Sequence, residues 1–200
     1  MSHTLDLLDY RRQVSEIYAR ARAGGSDPES WAAWRSGRDR LLKNHPQSPV
    51  EDRYGFSGLE YFPHDPAWRL QGRFTPGAEE AQAVGHSGEG STRFIRVGTV
   101  SFIVGGERQS LEVLWLDAYG GGVFIPFRDL TNGHQTYGGG RYLLDTVKGA
   151  DLGHVGEEMF LDFNYAYHPS CVHSAKWSCP LAPPQNQLDF AVTAGERLSH

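Results

Sequence analysis

The chain has 200 residues, among them 24 Gly, 11 Pro, 5 Trp, 9 Tyr and 10 Phe, and its formal net charge is −5. So many aromatic residues exclude a disordered chain, and so much Gly and Pro excludes a helical bundle. An acidic chain lacks the basic footprint of a nucleic-acid-binding protein, so no nucleic-acid partner is expected. The composition favours a single β-rich domain over residues 1–200.

The N-terminal part of the chain is predicted to form two helices. Apolar residues recur at helical spacing over residues 4–23, and glycines end the pattern. A second helix is predicted over residues 27–44, because Ser26 and Glu29 have the spacing of a capping box and Pro28 fits a first turn. Its apolar face consists of Trp31, Trp34, Leu41 and Leu42.

The helical segment, residues 1–44, is expected to pack on a β-rich body formed by residues 54–200. Strands are predicted at 56–62, 68–74, 93–104, 110–117, 122–127, 141–146, 159–163 and 188–192. Residues 76–91 are rich in Gly, Ala and Glu and are predicted to form a loop. About eight strands, several of them joined by short hairpin turns, favour an antiparallel barrel-like or sandwich sheet behind two N-terminal helices.

The start of the chain shows no targeting or membrane signal. Asp6, Asp9, Arg11 and Arg12 interrupt its apolar residues, so a signal peptide is not expected. No stretch approaches the roughly 18 uninterrupted apolar residues of a membrane helix. We therefore expect a cytoplasmic protein with no membrane partner, whose two cysteines are thiols.

Two polar segments depart from the hairpin pattern and carry a resemblance to a known family. Residues 127–142 and 161–186 are rich in aromatic residues and in Gly or Pro, and long irregular segments of this kind are often functional. The resemblance is carried by Phe127, Asp129, Thr131, Gly133, Thr136-Tyr137, Gly140-Arg141-Tyr142, Asp162-Phe163-Asn164, Ala166-Tyr167, Pro169, Cys171, Cys179-Pro180, Pro183-Pro184, Asn186 and Ala194-Gly195-Glu196.

On these residues the chain resembles the domain of unknown function 1684. The resemblance covers nearly the whole chain and implies membership without implying a chemistry. Two positions depart from the family pattern. His168 stands where Asn is usual, and His173 stands where a small or aromatic residue is usual.

Five polar residues of the resemblance come from four different segments and suggest a polar cluster. Asp162 and Asn164 share one face of a strand by alternation, and Arg141 is the expected partner of any buried carboxylate. Two interpretations remain. Either Arg141 and the carboxylates form a structural network that holds the segments, or Arg141 binds an anionic ligand while Asp162 or Glu196 transfers a proton. The fifth residue of this polar cluster is Asp129.

The predicted site lies where the two polar segments meet. Its ligand-binding residues are Asp129, Tyr137, Arg141, Tyr142, Asn164, Tyr167 and Asn186, and its candidate catalytic residues are Asp162, Glu196 and Cys171. The main hypothesis is a small-molecule-binding β domain, with an anionic ligand and an enzymatic activity both left open. The alternative is a non-catalytic structural or protein-interaction domain. The residues indicate neither a cofactor nor an oligomeric state.

The Cys/His loop supports a third hypothesis, a metal-binding protein. His168, Cys171, His173 and Cys179 offer nitrogen and sulfur ligands that zinc accepts. Their spacing matches no standard zinc pattern, so the predicted site includes no metal ligand. Two other interpretations of the thiols stay open: Cys171 as a reactive nucleophile near His173, and a disulfide between Cys171 and Cys179.

Overall fold

A computed structural model describes residues 3–199. The chain begins with two helices, α1 (His3–Gly24) and α2 (Pro28–Asn44). Within the described residues nine strands follow: β1 (Glu60–Tyr61), β2 (Arg69–Gly85), β3 (Ser91–Val104), β4 (Glu107–Leu116), β5 (Val123–Phe127), β6 (Arg141–Asp145), β7 (His154–Val155), β8 (Glu158–Asp162) and β9 (Glu196–Arg197). The protein is mainly β with two N-terminal helices, as its sequence predicts.

The main sheet is antiparallel and open. Seven strands follow the order β6-β5-β4-β3-β2-β8-β7, while β1 and β9 form a separate antiparallel pair. In residues 3–199 the two edge strands of the large sheet do not pair, so the barrel predicted from the hairpin pattern is wrong. A barrel needs continuous pairing around the ring. Here β7 has only two residues, and the free edge of β6 bridges through Tyr142 to Tyr167 instead.

Three predicted segments differ from the structure. The predicted loop at 76–91 is mostly strand, because β2 continues to Gly85 and pairs with β3 from Ser91 onward. The second half of β2, residues 76–85, is mostly exposed and poor in strand-forming residues. Its extended conformation is therefore stabilised by pairing with β3 and not by strand propensity. The strand predicted at 56–62 shrinks to β1, and 188–192 forms no strand within the described chain.

The largest apolar core lies against the sheet. It joins buried residues of β3, β4, β5, β6 and β8 to residues of the C-terminal segment. Leu188, Val192 and Ala194 are buried in this core although their segment is irregular. The apolar character that predicted a strand at 188–192 therefore reflects burial and not strand pairing.

A second core joins the helices to the rest of the chain. Trp34 packs edge-on against Tyr18, Tyr61 and Tyr165. The predicted apolar face of α2 is buried as expected. The predicted capping box is wrong, since Asp27 and not Ser26 caps α2 by accepting the Glu29 backbone N–H.

Candidate functional site

The strongest candidate site is a cavity of about 90 Å³ between the two helices and the segment that follows β8. Its lining residues are Tyr10, Val14, Ile17, Tyr18, Arg38, Leu41, Leu42, Pro49, Lys148, Ala150, Tyr167, His168, Ser170 and His173. One water molecule needs about 10–15 Å³ of such space. The cavity therefore has room for a molecule of several non-hydrogen atoms.

The polar wall of the cavity is built around Glu196, whose carboxylate is buried. Arg38 Nη2 donates to Oε2 at 3.0 Å, and the His168 backbone N–H donates to the same oxygen at 3.1 Å. The other oxygen, Oε1, lies 3.2 Å from His168 Nδ1 and 3.7 Å from His173 Nε2. One carboxylate thus gathers an arginine and two histidines from distant parts of the chain.

The charge of Glu196 is compensated inside the protein. Burial alone would raise the pKa of its carboxyl, but the Arg38 guanidinium and the hydrogen bond with His168 outweigh that effect and hold this pKa below its usual range. Arg38 also donates to the Tyr61 hydroxyl and lies over the rings of Trp34 and Tyr167. Such pairing is what makes a buried charge tolerable.

The two histidines have different roles in this wall. His168 Nε2 accepts the Tyr137 backbone N–H at 3.2 Å, so its Nδ1 is the nitrogen that donates to Glu196 and both nitrogens are occupied. His173 follows the 3₁₀ turn Ser170–Val172 and lines the cavity. Burial lowers the pKa of His173, so its imidazole is neutral near pH 7 and can accept a proton.

The remaining walls of the cavity are apolar, with a cation at one side. Ile17 and Leu41 contribute from the two helices, and Ala150 from the segment after β6. The Lys148 ammonium is about half exposed and lies 3.4 Å from Asp145 Oδ2. The cavity therefore combines apolar surface, a lysine and a hydrogen-bonding wall.

Backbone pairing and helix periodicity bring the wall together. β9 pairs with β1, and the Glu196 N–H donates to the Ala166 carbonyl, which places the carboxylate beside the 166–173 segment. Arg38 lies on the buried stripe of α2 and reaches the carboxylate from the opposite side. Of the predicted site residues, Tyr167 lines this cavity, and Glu196 lies behind its wall in contact with the lining residues Arg38, His168 and His173.

Arg141 lies elsewhere, in a sealed cluster. Its Nη2 donates to Asp129 Oδ2 at 2.9 Å and to the Val192 carbonyl at 2.8 Å, and its Nη1 donates to the carbonyls of Ala194 and Glu196. Both side chains of the pair are fully buried. The expected pairing with Asp162 is wrong, because the backbone directs Arg141 toward the 192–196 segment.

Three other predicted site residues are hydrogen-bonded to neighbouring segments of the protein. Asp162 accepts from the N–H and the amide of Asn164 and lies 3.5 Å from Arg69 Nη1. Asn164 also exchanges two hydrogen bonds with the Asp65 backbone. Asn186 holds the backbone of Glu112 in the same way. These contacts favour the structural alternative for this part of the predicted set.

A second cluster contains the cysteines. Cys171 and Cys179 are free thiols within hydrogen-bonding reach of each other, and Cys171 Sγ lies 3.9 Å from the Tyr137 hydroxyl. Tyr142 lies next to them and donates to the Pro180 carbonyl at 2.6 Å. In residues 3–199 no three His, Cys, Asp or Glu side chains are arranged to hold a metal ion, so the four-residue Cys/His site is not assembled.

Sequence reasoning missed most of the cavity. Arg38, Lys148 and Ser170 were not expected in a site, and His168 and His173 were considered only as metal ligands or, for His173, as a neighbour of a reactive Cys171. One signal was present: Arg38 occupies the apolar stripe of α2, between Trp34 and Leu41. A charged residue at a core position of an amphipathic helix indicates a buried ion pair.

Comparison with known proteins agrees with the fold. Residues 54–197 match the family model described as "Protein of unknown function (DUF1684)". The solution NMR structure of an uncharacterized protein from Haloarcula marismortui is similar, with 41% identity and a TM-score of 0.61, over 84% of this chain and 91% of that one. No curated protein sequence matches the chain. No helix in residues 3–199 is long and apolar enough to span a membrane. On the extent of the family match, the chain belongs to the domain of unknown function 1684 family.

Proposed function

We propose that this protein binds a small organic acid in the cavity between the helices and the 166–173 segment. The observation that carries the proposal is the polar wall: a fully buried carboxylate, Glu196, holds Arg38 and two histidines, and these three partners line unfilled space. Ligand sites combine apolar walls with a few convergent polar groups in this way.

The chemistry of the walls selects the ligand class. Arg38 neutralises Glu196, so the buried carboxylate does not repel an anion. Lys148 supplies a cation whose pairing with Asp145 is loose enough to be shared. The apolar portion of the ligand would pack on Ile17 and Leu41. A short-chain carboxylic acid satisfies all three features.

The polar wall also contains one group suited to accept a proton, His173. His173 is a neutral base at the cavity surface, and Glu196 is its positioning residue. Of the two carboxylates predicted to transfer protons, Glu196 contacts residues that line the cavity, whereas Asp162 contacts Asn164 and Arg69. An enzymatic role, if the ligand reacts, would use His173 to accept a proton.

The experiment is a binding measurement with a matched pair of variants. Carboxylic acids of two to eight carbons and their primary amides are titrated against the protein by calorimetry and thermal shift. Val14→Phe fills the cavity and should abolish binding, while Val155→Phe, on the exposed β7, should preserve it. Lys148→Met should weaken binding of the acid about tenfold, or 1.4 kcal/mol, and leave the amide unchanged.

The outcomes separate the hypotheses. Binding that survives in Val14→Phe would place the ligand outside the cavity. If none of the acids binds the wild-type protein, the proposal is rejected and the structural alternative stands.

A further inference from the structure

The cluster of Cys171, Cys179, Tyr137 and Ser87 contains no residue that lines the cavity and has no part in the proposed function. Cys171 is partly exposed, whereas Cys179 is only 4% exposed. The Cys179 N–H donates to the Ser87 hydroxyl at 3.1 Å, and the Ser87 N–H donates to the Cys179 carbonyl at 2.9 Å. These two hydrogen bonds fix Cys179 against Ser87, and the more exposed thiol of Cys171 lies next to it.

We propose that Cys171 and Cys179 form a peroxide-reactive thiol pair, in which Cys171 is the attacking thiol and Cys179 the resolving thiol. The proposal rests on three features: the hydrogen bond between the two free thiols, the greater exposure of Cys171, and the Tyr137 hydroxyl 3.9 Å from Cys171 Sγ. It does not depend on ligand binding in the cavity.

The hydrogen bonds of the cluster distribute the protons unequally. The hydrogen bond from Cys179, opposed by burial and assisted by Ser87 and Tyr137, lowers the pKa of Cys171 to about 6. The same hydrogen bond and burial raise the pKa of Cys179. Cys171 is therefore a thiolate at neutral pH, and the thiolate is the nucleophilic form.

The reaction balances in two steps. The Cys171 thiolate attacks one oxygen of hydrogen peroxide and the O–O bond breaks, which gives a sulfenic acid and, after uptake of one proton, water. The Cys179 sulfur then attacks the Cys171 sulfur, the S–O bond breaks, and the leaving hydroxide takes the Cys179 proton as a second water. In total two thiols are oxidised to one disulfide, and one peroxide is reduced to two waters.

Peptide mapping after peroxide treatment tests the pair. The protein is treated at pH 7, its remaining thiols are alkylated, and it is digested with trypsin, which cleaves after Lys176 between the two cysteines. We expect residues 149–176 and 177–197 to appear as one disulfide-linked species. Oxidation of Met159, in the first peptide, is counted separately. Two alkylatable thiols after excess peroxide would overturn the proposal.

Single-cysteine variants test the order of the two thiols. In Cys179→Ser, Cys171 should accumulate as a sulfenic acid that a 1,3-diketone probe traps. In Cys171→Ser, Cys179 should stay reduced. The opposite pattern contradicts the assignment. Melting curves of both variants check that the fold is retained.

A tyrosine pair tests the hydrogen-bonded cluster without changing either cysteine. Iodoacetamide should alkylate Cys171 of the wild-type protein at pH 7 about tenfold faster than a thiol of ordinary pKa. Tyr137→Phe should slow this reaction, and Tyr119→Phe, whose ring is exposed, should not. Equal rates in the two variants would contradict the cluster as the source of the reactivity.

Discussion

Two buried arginine–carboxylate clusters can be compared in this protein, and they differ in what surrounds them. Arg141 pairs with Asp129, and its remaining bonded hydrogens go to three backbone carbonyls of residues 192–196. Arg38 pairs with Glu196, but this pair is joined by His168 and His173 and adjoins a cavity. The comparison teaches that a buried charge alone does not indicate a site. The second cluster is a candidate site because it adjoins unfilled space and includes His173, which lines that space.

The sealed cluster explains how irregular backbone is held inside the core. Residues 192–196 form no ladder with a neighbouring strand until β9, so their carbonyls need other donors. Arg141 supplies these donors, as the amide of Asn186 does for Glu112 and Pro126. Unpaired buried carbonyls would be costly.

The largest expected effect follows from breaking the sealed cluster. Arg141→Met removes the charge partner of Asp129 and the donors to the 192–196 carbonyls, so we expect a loss of about 3–5 kcal/mol in the free energy of unfolding. Denaturant titration measures it. Arg73→Met is the matched control. Arg73, on β2, forms exposed ion pairs with Glu157 and Glu158, so its replacement should cost less than about 1 kcal/mol. Equal losses would show that the cluster is not a structural centre.

A smaller effect is expected from neutralising the cavity cluster. Glu196→Gln keeps the shape but removes the charge that pairs with Arg38, and we expect a loss of about 1–3 kcal/mol at pH 7. Because the folded pKa of Glu196 lies below its unfolded value, its contribution is complete above about pH 4.5 and is lost as the pH falls below that.

The pH dependence separates this variant from its control. Glu60 forms an exposed ion pair with Arg197, so Glu60→Gln is the control. The free energy of unfolding of the wild-type protein and of Glu60→Gln should fall steeply below about pH 4.5, and that of Glu196→Gln should fall less. Denaturant titrations between pH 3 and 7 measure the difference. Parallel curves for all three proteins would contradict the role of Glu196.

The smallest expected effect concerns His173. Its folded pKa lies below the unfolded value of about 6.5, so its contribution is complete above that pH and is lost as the pH falls. His173→Gln should leave stability at pH 7.5 nearly unchanged and flatten the decline between about pH 6.5 and 5. His154→Gln, on exposed β7, is the control and should decline like the wild-type protein. If the stability of His173→Gln declines as steeply as that of the wild-type protein, His173 does not titrate in this range.

Much of the fold could be predicted from local sequence pattern. The helices over 4–23 and 27–44 agree with α1 and α2, since amphipathic spacing and glycine termination act within a few residues. The strands near 93–104 and 110–117 agree with β3 and β4 for the same reason. The exposed half of β2 was missed because only its pairing with β3 makes it a strand.

The candidate site was less predictable. Glu196 was among the predicted site residues, but its partners come from α2 and from residues 168–173, more than 20 positions away. His168 and His173 were left out of the predicted site, because their spacing with the cysteines matches no standard zinc pattern. Their contact with Glu196 depends on how distant segments pack, and no spacing rule could reveal it.

By itself, the sequence determined the secondary structure class, the two helices, the main hairpins and the family. These depend on residue periodicity and turn chemistry over short distances. Only the tertiary structure decided that Arg141 is sealed by backbone carbonyls, that the sheet stays open, and that Glu196 meets Arg38 beside a cavity. Those outcomes depend on which distant segments pack together, because a buried charge takes its partner from whatever the fold brings within reach.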